Sequence, residues 1–175
     1  MNQWLLVAVG IVLTFGSALF VASEFSLVNL ERNDLESRSQ RGEKGLSNSI
    51  RALKQTRTHL SGAQLGITLT TMLTGFIAEP ALEQLLHPAL TGLGLTDSAE
   101  KTTAAILTMV IATLFSSLIG ELIPKKLALT HPLEVNKAVI PFQMAFSWVF
   151  AIMIKGLMAI GNAAVRALGI EPREE

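Results

Sequence analysis

The chain has 175 residues, 50% of them hydrophobic and 16% charged, with a formal net charge of +0 and a mean hydropathy of +0.46. A soluble domain of this length usually carries more charge, and a neutral total gives no footing for nucleic acid binding. With no cysteine in the sequence, disulfides, thiolate metal sites and thiol catalysis are excluded together.

The first uncharged window runs from Trp4 to Ala22, and about 20 such residues suffice to cross a bilayer. No basic residue precedes it and it is too long for an ordinary signal peptide, so it is expected to remain in the mature protein. Ser23, Ser26 and Asn29 follow at every third position. At about 100° per residue they spread over one side of a helix, a polar stripe at the end of an apolar segment. Glu24 lies about 160° around the helix from Ser26, which sets it apart from that stripe.

Residues 31–59 carry Arg32, Arg38, Arg41, Lys44, Arg51, Lys54 and Arg57 and read as a basic helical loop, with Ser47 and Ser49 as candidate caps. A solvated face or a lipid headgroup contact accounts for its charge. The second window, Leu60 to Ala78, has Gln64, Thr68 and Thr71 at helical spacing, and Gly62, Gly66 and Gly75 suit close helix packing. Between Glu79 and Lys101 the only basic residue is Lys101. The asymmetry of Lys and Arg places the 31–59 loop in the cytosol, with the amino terminus out and the carboxyl terminus in.

The third window, Thr102 to Ile119, ends in Gly120-Glu121-Leu122-Ile123-Pro124-Lys125. In an α-helix Pro124 would deprive the Gly120 carbonyl of its donor. One turn would then offer a carboxylate and a free carbonyl, the hard oxygens that Mg²⁺, Ca²⁺ or Na⁺ prefer. An ionisable group at this depth is a functional candidate by default; the plainer reading is an i, i+4 ion pair of Glu121 with Lys125. The serines and threonines likewise have a plain reading, bonds to the carbonyl of the preceding turn. A last apolar stretch, Ala138 to Val165, is interrupted by Lys155, Gly156 and Gly161, and Pro141 stands where a helix would begin. It is expected to lie in the interface, where Lys155 can reach the headgroups, in preference to forming a fourth span. His59, His87 and His131 form no i, i+4 pair, so zinc is poorly supported, and no catalytic set is visible. The expectation is a transporter, not an enzyme.

Ser23-Glu24-Phe25-Ser26-Leu27-Val28, the basic loop, Leu65-Gly66-Ile67-Thr68-Leu69-Thr70 and Gly120-Glu121-Leu122-Ile123-Pro124-Lys125, taken in that order, resemble the transmembrane domain of the CorC and cyclin M family of magnesium transporters. The resemblance covers nearly the whole chain, and its glycine-glutamate-x-x-proline-lysine element is the most specific part. It implies an all-α, multi-pass cell-membrane protein: a homodimer of three-span protomers within residues 1–136, followed over 137–175 by an interfacial juxtamembrane helix and a cut-short linker to cytosolic domains that this chain does not include. It further implies export of Mg²⁺ from the cytosol, with Na⁺ as the driving ion. The expected cation site is formed by Ser23, Ser26, Asn29, the Gly120 carbonyl and Glu121, supported by Thr68, Thr71, Pro124 and Lys125. Lys125 would neutralise the carboxylate when no cation is bound. One departure is Ile67, where many relatives have asparagine; a ligand from that side would have to be Thr68, Thr71 or a carbonyl. The competing expectation is a membrane anchor that dimerises and holds cytosolic modules at the bilayer.

Overall fold

A computed structural model describes residues 2–91 and 97–169, and among them there is no strand. The helices are α1 (Gln3–Val28), α2 (Arg32–Gln40), α3 (Ser47–Leu53), α4 (Thr56–Thr91), α5 (Asp97–Phe115), a π-turn segment (Ser116–Leu122), α6 (Ile123–Thr130), α7 (Pro132–Val149) and α8 (Ala151–Ala167). The linker expected at residues 170–175 lies outside the described residues.

Three helical stretches are long and apolar enough to cross a membrane: Gln3–Val28, Thr56–Thr91 and Ser98–Thr130. Each contains one of the uncharged windows and runs past it. The apolar window sets where the bilayer must be, whereas the backbone hydrogen-bond ladder continues into polar flanks until a turn residue or proline ends it. Pro80 and Pro88 lie inside α4 and remove ladder bonds only towards its outer end.

The chain folds into two compact units, Met1–Ala18 with Ile67–Pro124, and Leu19–Gly66 with Lys125–Glu175. In the first, α1 and α4 run antiparallel at close range. Gly10 faces Ala78 so closely that a side chain at 10 would overlap the alanine methyl, and a Cβ at Gly16 would lie 3.4 Å from Thr70 Cγ2. Gln3 Nε2 donates to Gln84 Oε1 at 2.9 Å. The hydroxyls of Thr14, Thr70 and Thr74 donate to Gly10 O, Ile67 O and Thr70 O at 2.9, 3.1 and 2.8 Å, the plain role expected of hydroxyls in membrane helices. Near the start of α5 Glu100 is buried, its Oε1 3.0 Å from Thr91 Oγ1 and 3.2 Å from His87 Nδ1.

The second unit gathers the ends of α1 and α4 with α2, α3, α6, α7 and α8. Its core is Leu27, Ala52 and Ile140, flanked by Leu53, Leu60 and Met144. A chain of rings, Phe20 to Phe146 at 4.6 Å and Phe146 to Phe150 at 4.5 Å, lines α7, and Gly66 leaves room for the Phe20 ring, which a Cβ would approach to 2.5 Å. The basic loop is helical as expected, as α2 and α3. In α2 the Arg32–Glu36 and Asp34–Arg38 pairs close at 2.8 and 2.9 Å; the hydrogen bond from Arg32 holds the Glu36 carboxyl below its usual range. The cap expectation needs correction. The residue before α3 is Leu46, with no side-chain cap, and Ser47 and Ser49 lie inside the helix, because the buried side chain of Leu46 anchors this turn where a capping hydroxyl was expected.

The start expected at Pro141 is also corrected. Helix α7 begins at Pro132, a first-turn position where a missing N–H is harmless, and Pro141 sits inside it. The break falls instead at Phe150, where α7 and α8 meet at 81°. The segment expected to form an interfacial helix, with a kink allowed for, is an elbow of two helices, with Lys155 exposed on α8.

Candidate cation site

In the second unit the first-span stripe ends as a buried polar cluster. Ser23 and Ser26 are both 0% exposed, because the C-terminal end of α1 is covered in this unit by packed helices. Ser26 Oγ donates to the Ser23 carbonyl at 3.0 Å, a bond to the preceding turn, and accepts from Asn136 Nδ2 of α7 at 3.0 Å. Two buried oxygens of this cluster, Ser23 Oγ and Asn136 Oδ1, have no hydrogen-bond partner among the described residues. Buried polar atoms are nearly always paired, so these two oxygens need a partner that the described residues do not supply.

Asn29 does not join this cluster. It follows the last residue of α1, is exposed, and its Nδ2 donates to Phe25 O at 2.7 Å; its amide spans one turn of backbone and is occupied as a helix-end bond. Glu24 also stands apart, as its helical position predicts, with Gln64 Nε2 at 3.5 Å. Lys125 Nζ lies 4.5 Å over the Phe25 ring, a cation–π contact that gives it a neighbour other than the one expected.

In the first unit the segment carrying Glu121 is a π-turn, Ser116–Leu122, in which the Ile123 N–H bonds the Leu118 carbonyl five residues back. Counted in that register, the carbonyl opposite the missing N–H of Pro124 is that of Ile119, one residue earlier than α-helical counting gave. The widened turn frees backbone oxygens here, as π-bulges at functional sites commonly do. Gly120 is buried, and a Cβ there would make ordinary van der Waals contact, 3.4 Å from Thr14 Cγ2 and 3.9 Å from Ser17 Cβ. Glu121 itself is exposed on this unit, Pro124 is buried, and Thr68 and Thr71 are exposed on α4. Among the described residues no three His, Asp or Glu side chains gather as a metal cluster.

Sequence reasoning missed Ser17, Thr14 and above all Asn136. Thr14 and Ser17 lie inside the first uncharged window, where a lone hydroxyl reads as packing. Asn136 lies outside every window, yet Asn136, Ile140, Gln143 and Ser147 recur at helical spacing and are all buried, and that period was the available signal.

Comparison with known proteins bears on what this arrangement is for. The model of the cyclin M transmembrane N-terminal domain matches residues 8–175. The UPF0053 protein MT1890 of Mycobacterium tuberculosis is 39% identical over 163 residues, 93% of this chain and 36% of that protein. The UPF0053 protein YhdP of Bacillus subtilis is 32% identical over 178 residues, 98% of this chain and 38% of the relative. The chain therefore spans little more than a third of the length of these relatives. Its all-helical build, its membrane-crossing stretches and the match along nearly all its length agree: the chain belongs to the cyclin M transmembrane-domain family.

Proposed function

We propose that this domain transports Mg²⁺, exporting it from the cytosol in exchange for Na⁺, as a homodimer with the amino terminus outside and the carboxyl terminus in the cytosol. The observation that carries the reading is the fully buried Ser23 and Ser26 pair at the inner end of the first span, with Ser23 Oγ unpartnered. Apolar transmembrane helices gain nothing by burying an unsatisfied hydroxyl, and oxygen donors are what Mg²⁺ and Na⁺ take.

Each unit supplies its own polar element to transport. In one, Ser23 acts as a neutral ligand, weak enough to let Mg²⁺ go, with Ser26 holding the cluster together through its bonds to the Ser23 carbonyl and Asn136. In the other, Glu121 on the π-turn supplies the negative charge, with the Ile119 carbonyl opposite Pro124 as its partner. Glu121 is the only acidic side chain between Lys101 and Glu134, so no neighbouring carboxylate on that helix can stand in for it. The apolar surface of α5, including Met109, Val110 and Leu114, meets lipid or the second protomer.

The test is Mg²⁺ flux in proteoliposomes containing the chain, with an imposed Na⁺ gradient. Mg²⁺ movement that reverses when the Na⁺ gradient is reversed supports exchange. Mg²⁺ movement indifferent to Na⁺ supports transport and removes the coupling. No Mg²⁺ movement under either gradient favours an anchor that dimerises and holds cytosolic modules at the membrane.

A further inference from the structure

We infer that Asn136 is a cation ligand of this chain, its carboxamide oxygen joining Ser23 Oγ in a neutral oxygen site for Mg²⁺ that ties α7 to the inner end of the first span. The inference rests on the transport reading above and adds to it a ligand from outside the spans.

The orientation of the carboxamide follows from proton counting. The Ser26 hydroxyl has one proton, and the Ser23 carbonyl at 3.0 Å takes it. Its contact with Asn136 must then be accepted, so the asparagine presents its NH₂ group there, at 3.0 Å, and its other end is the oxygen. That oxygen is an acceptor only. It is buried in a side chain 0% exposed and has no partner among the described residues, so it needs a donor or a cation. Ser23 Oγ, on the other residue that Ser26 holds, is in the same condition.

Other roles for these atoms are used up or absent. Ser26 is bonded on both sides. The neighbouring cation on α7, Lys137, pairs with Glu43 at 3.2 Å, and Lys125 lies over Phe25. The other orphan oxygen of α7, Gln143 Oε1, stands seven positions further on, roughly 10 Å along the helix, and its amide serves His59 O and Ser147 Oγ. The cluster at Ser23 and Asn136 is separate from it and consists of uncharged hard oxygens, which leave the charge on the ion and bind it reversibly.

A purely structural Asn136 would matter through its NH₂ bond to Ser26; a ligand matters through its oxygen. Aspartate keeps the oxygen, adds charge and loses the donor, so it separates the two. The measurement is the thermal midpoint of the purified chain in nanodiscs, titrated with MgCl₂ at constant ionic strength. For Asn136→Ala the Mg²⁺ concentration giving half the rise in midpoint should increase at least about tenfold. For Asn136→Asp the midpoint without Mg²⁺ should fall, because a buried carboxylate lacks a partner, and the half-effect concentration should drop below that of the unaltered chain. An Asp variant that responds no more tightly than the Ala variant, or than the unaltered chain if Ala does not fold, overturns the ligand role. The two readings fail differently: an unaltered chain with neither Mg²⁺ response nor Mg²⁺ flux removes the transport function, whereas intact flux with Mg²⁺ titrations unmoved by both substitutions removes Asn136 alone.

Discussion

Glu121→Gln is expected to cut Mg²⁺ flux in proteoliposomes by at least about 100-fold, close to 2.7 kcal/mol of lost stabilisation, while the protein remains folded and monodisperse. Glutamine keeps the shape and one carbonyl oxygen of the side chain, so packing on the π-turn is unchanged and only the charge is lost. Against a divalent ion leaving water, that charge is the largest attraction a single side chain can offer, and a medium of low dielectric makes it larger at every distance. Glu121 is exposed on its unit and carries no ion pair among the described residues, so neutralising it leaves no buried basic partner to destabilise the fold. Flux within a factor of two of the unaltered protein would remove Glu121 from the transport path and strengthen the anchor reading.

The second large effect concerns the fold. Gly10→Ala should destabilise the first unit by about 1–3 kcal/mol, the usual cost of forcing an extra methyl into a packed contact, and Gly10→Leu should leave little folded protein. A methyl at position 10 would overlap the Ala78 methyl, and an alanine side chain has no rotamer through which to move away. The helices must separate, and the Gly16–Thr70 contact of the same pair would loosen with them. The intrinsic preference of helices for alanine over glycine, about 1 kcal/mol, works in the opposite direction and is outweighed. Ala78→Gly should restore most of the loss in the double variant, a coupling that thermal unfolding of the four proteins measures directly. A Gly10→Ala chain as stable as the parent would mean the helices do not approach this closely.

Much of the architecture could be read without coordinates. The three uncharged windows became the three membrane-crossing stretches, the basic loop became α2 and α3, and Ser23 and Ser26 were both picked out and are both buried. These readings succeeded because they depend on the chain's own transfer between water and lipid, or on the period of a single helix. The failures have a common cause. A helix start was expected at Pro141, but α7 runs through it from Pro132, α8 accommodates Gly156 and Gly161, and the elbow falls at Phe150, a residue with no breaking tendency of its own. Asn29 was grouped with the serines by spacing, yet it lies past the end of the helix, where its amide serves the backbone. Counting from Pro124 assumed an α-helix, and the π-turn moved the count by one residue.

The sequence by itself determined that this chain is a membrane protein, which stretches are long and apolar enough to cross the bilayer, and that a carboxylate and a pair of hydroxyls stand at the ends of those windows, because the energy of placing each residue in lipid is a property of that residue and its near neighbours. Only the tertiary structure decided which polar atoms remain without a partner. Whether Ser23 Oγ or Asn136 Oδ1 is satisfied depends on the helix that arrives beside it, more than a hundred positions away in the chain for Ser26 and Asn136, and no local pattern records that meeting.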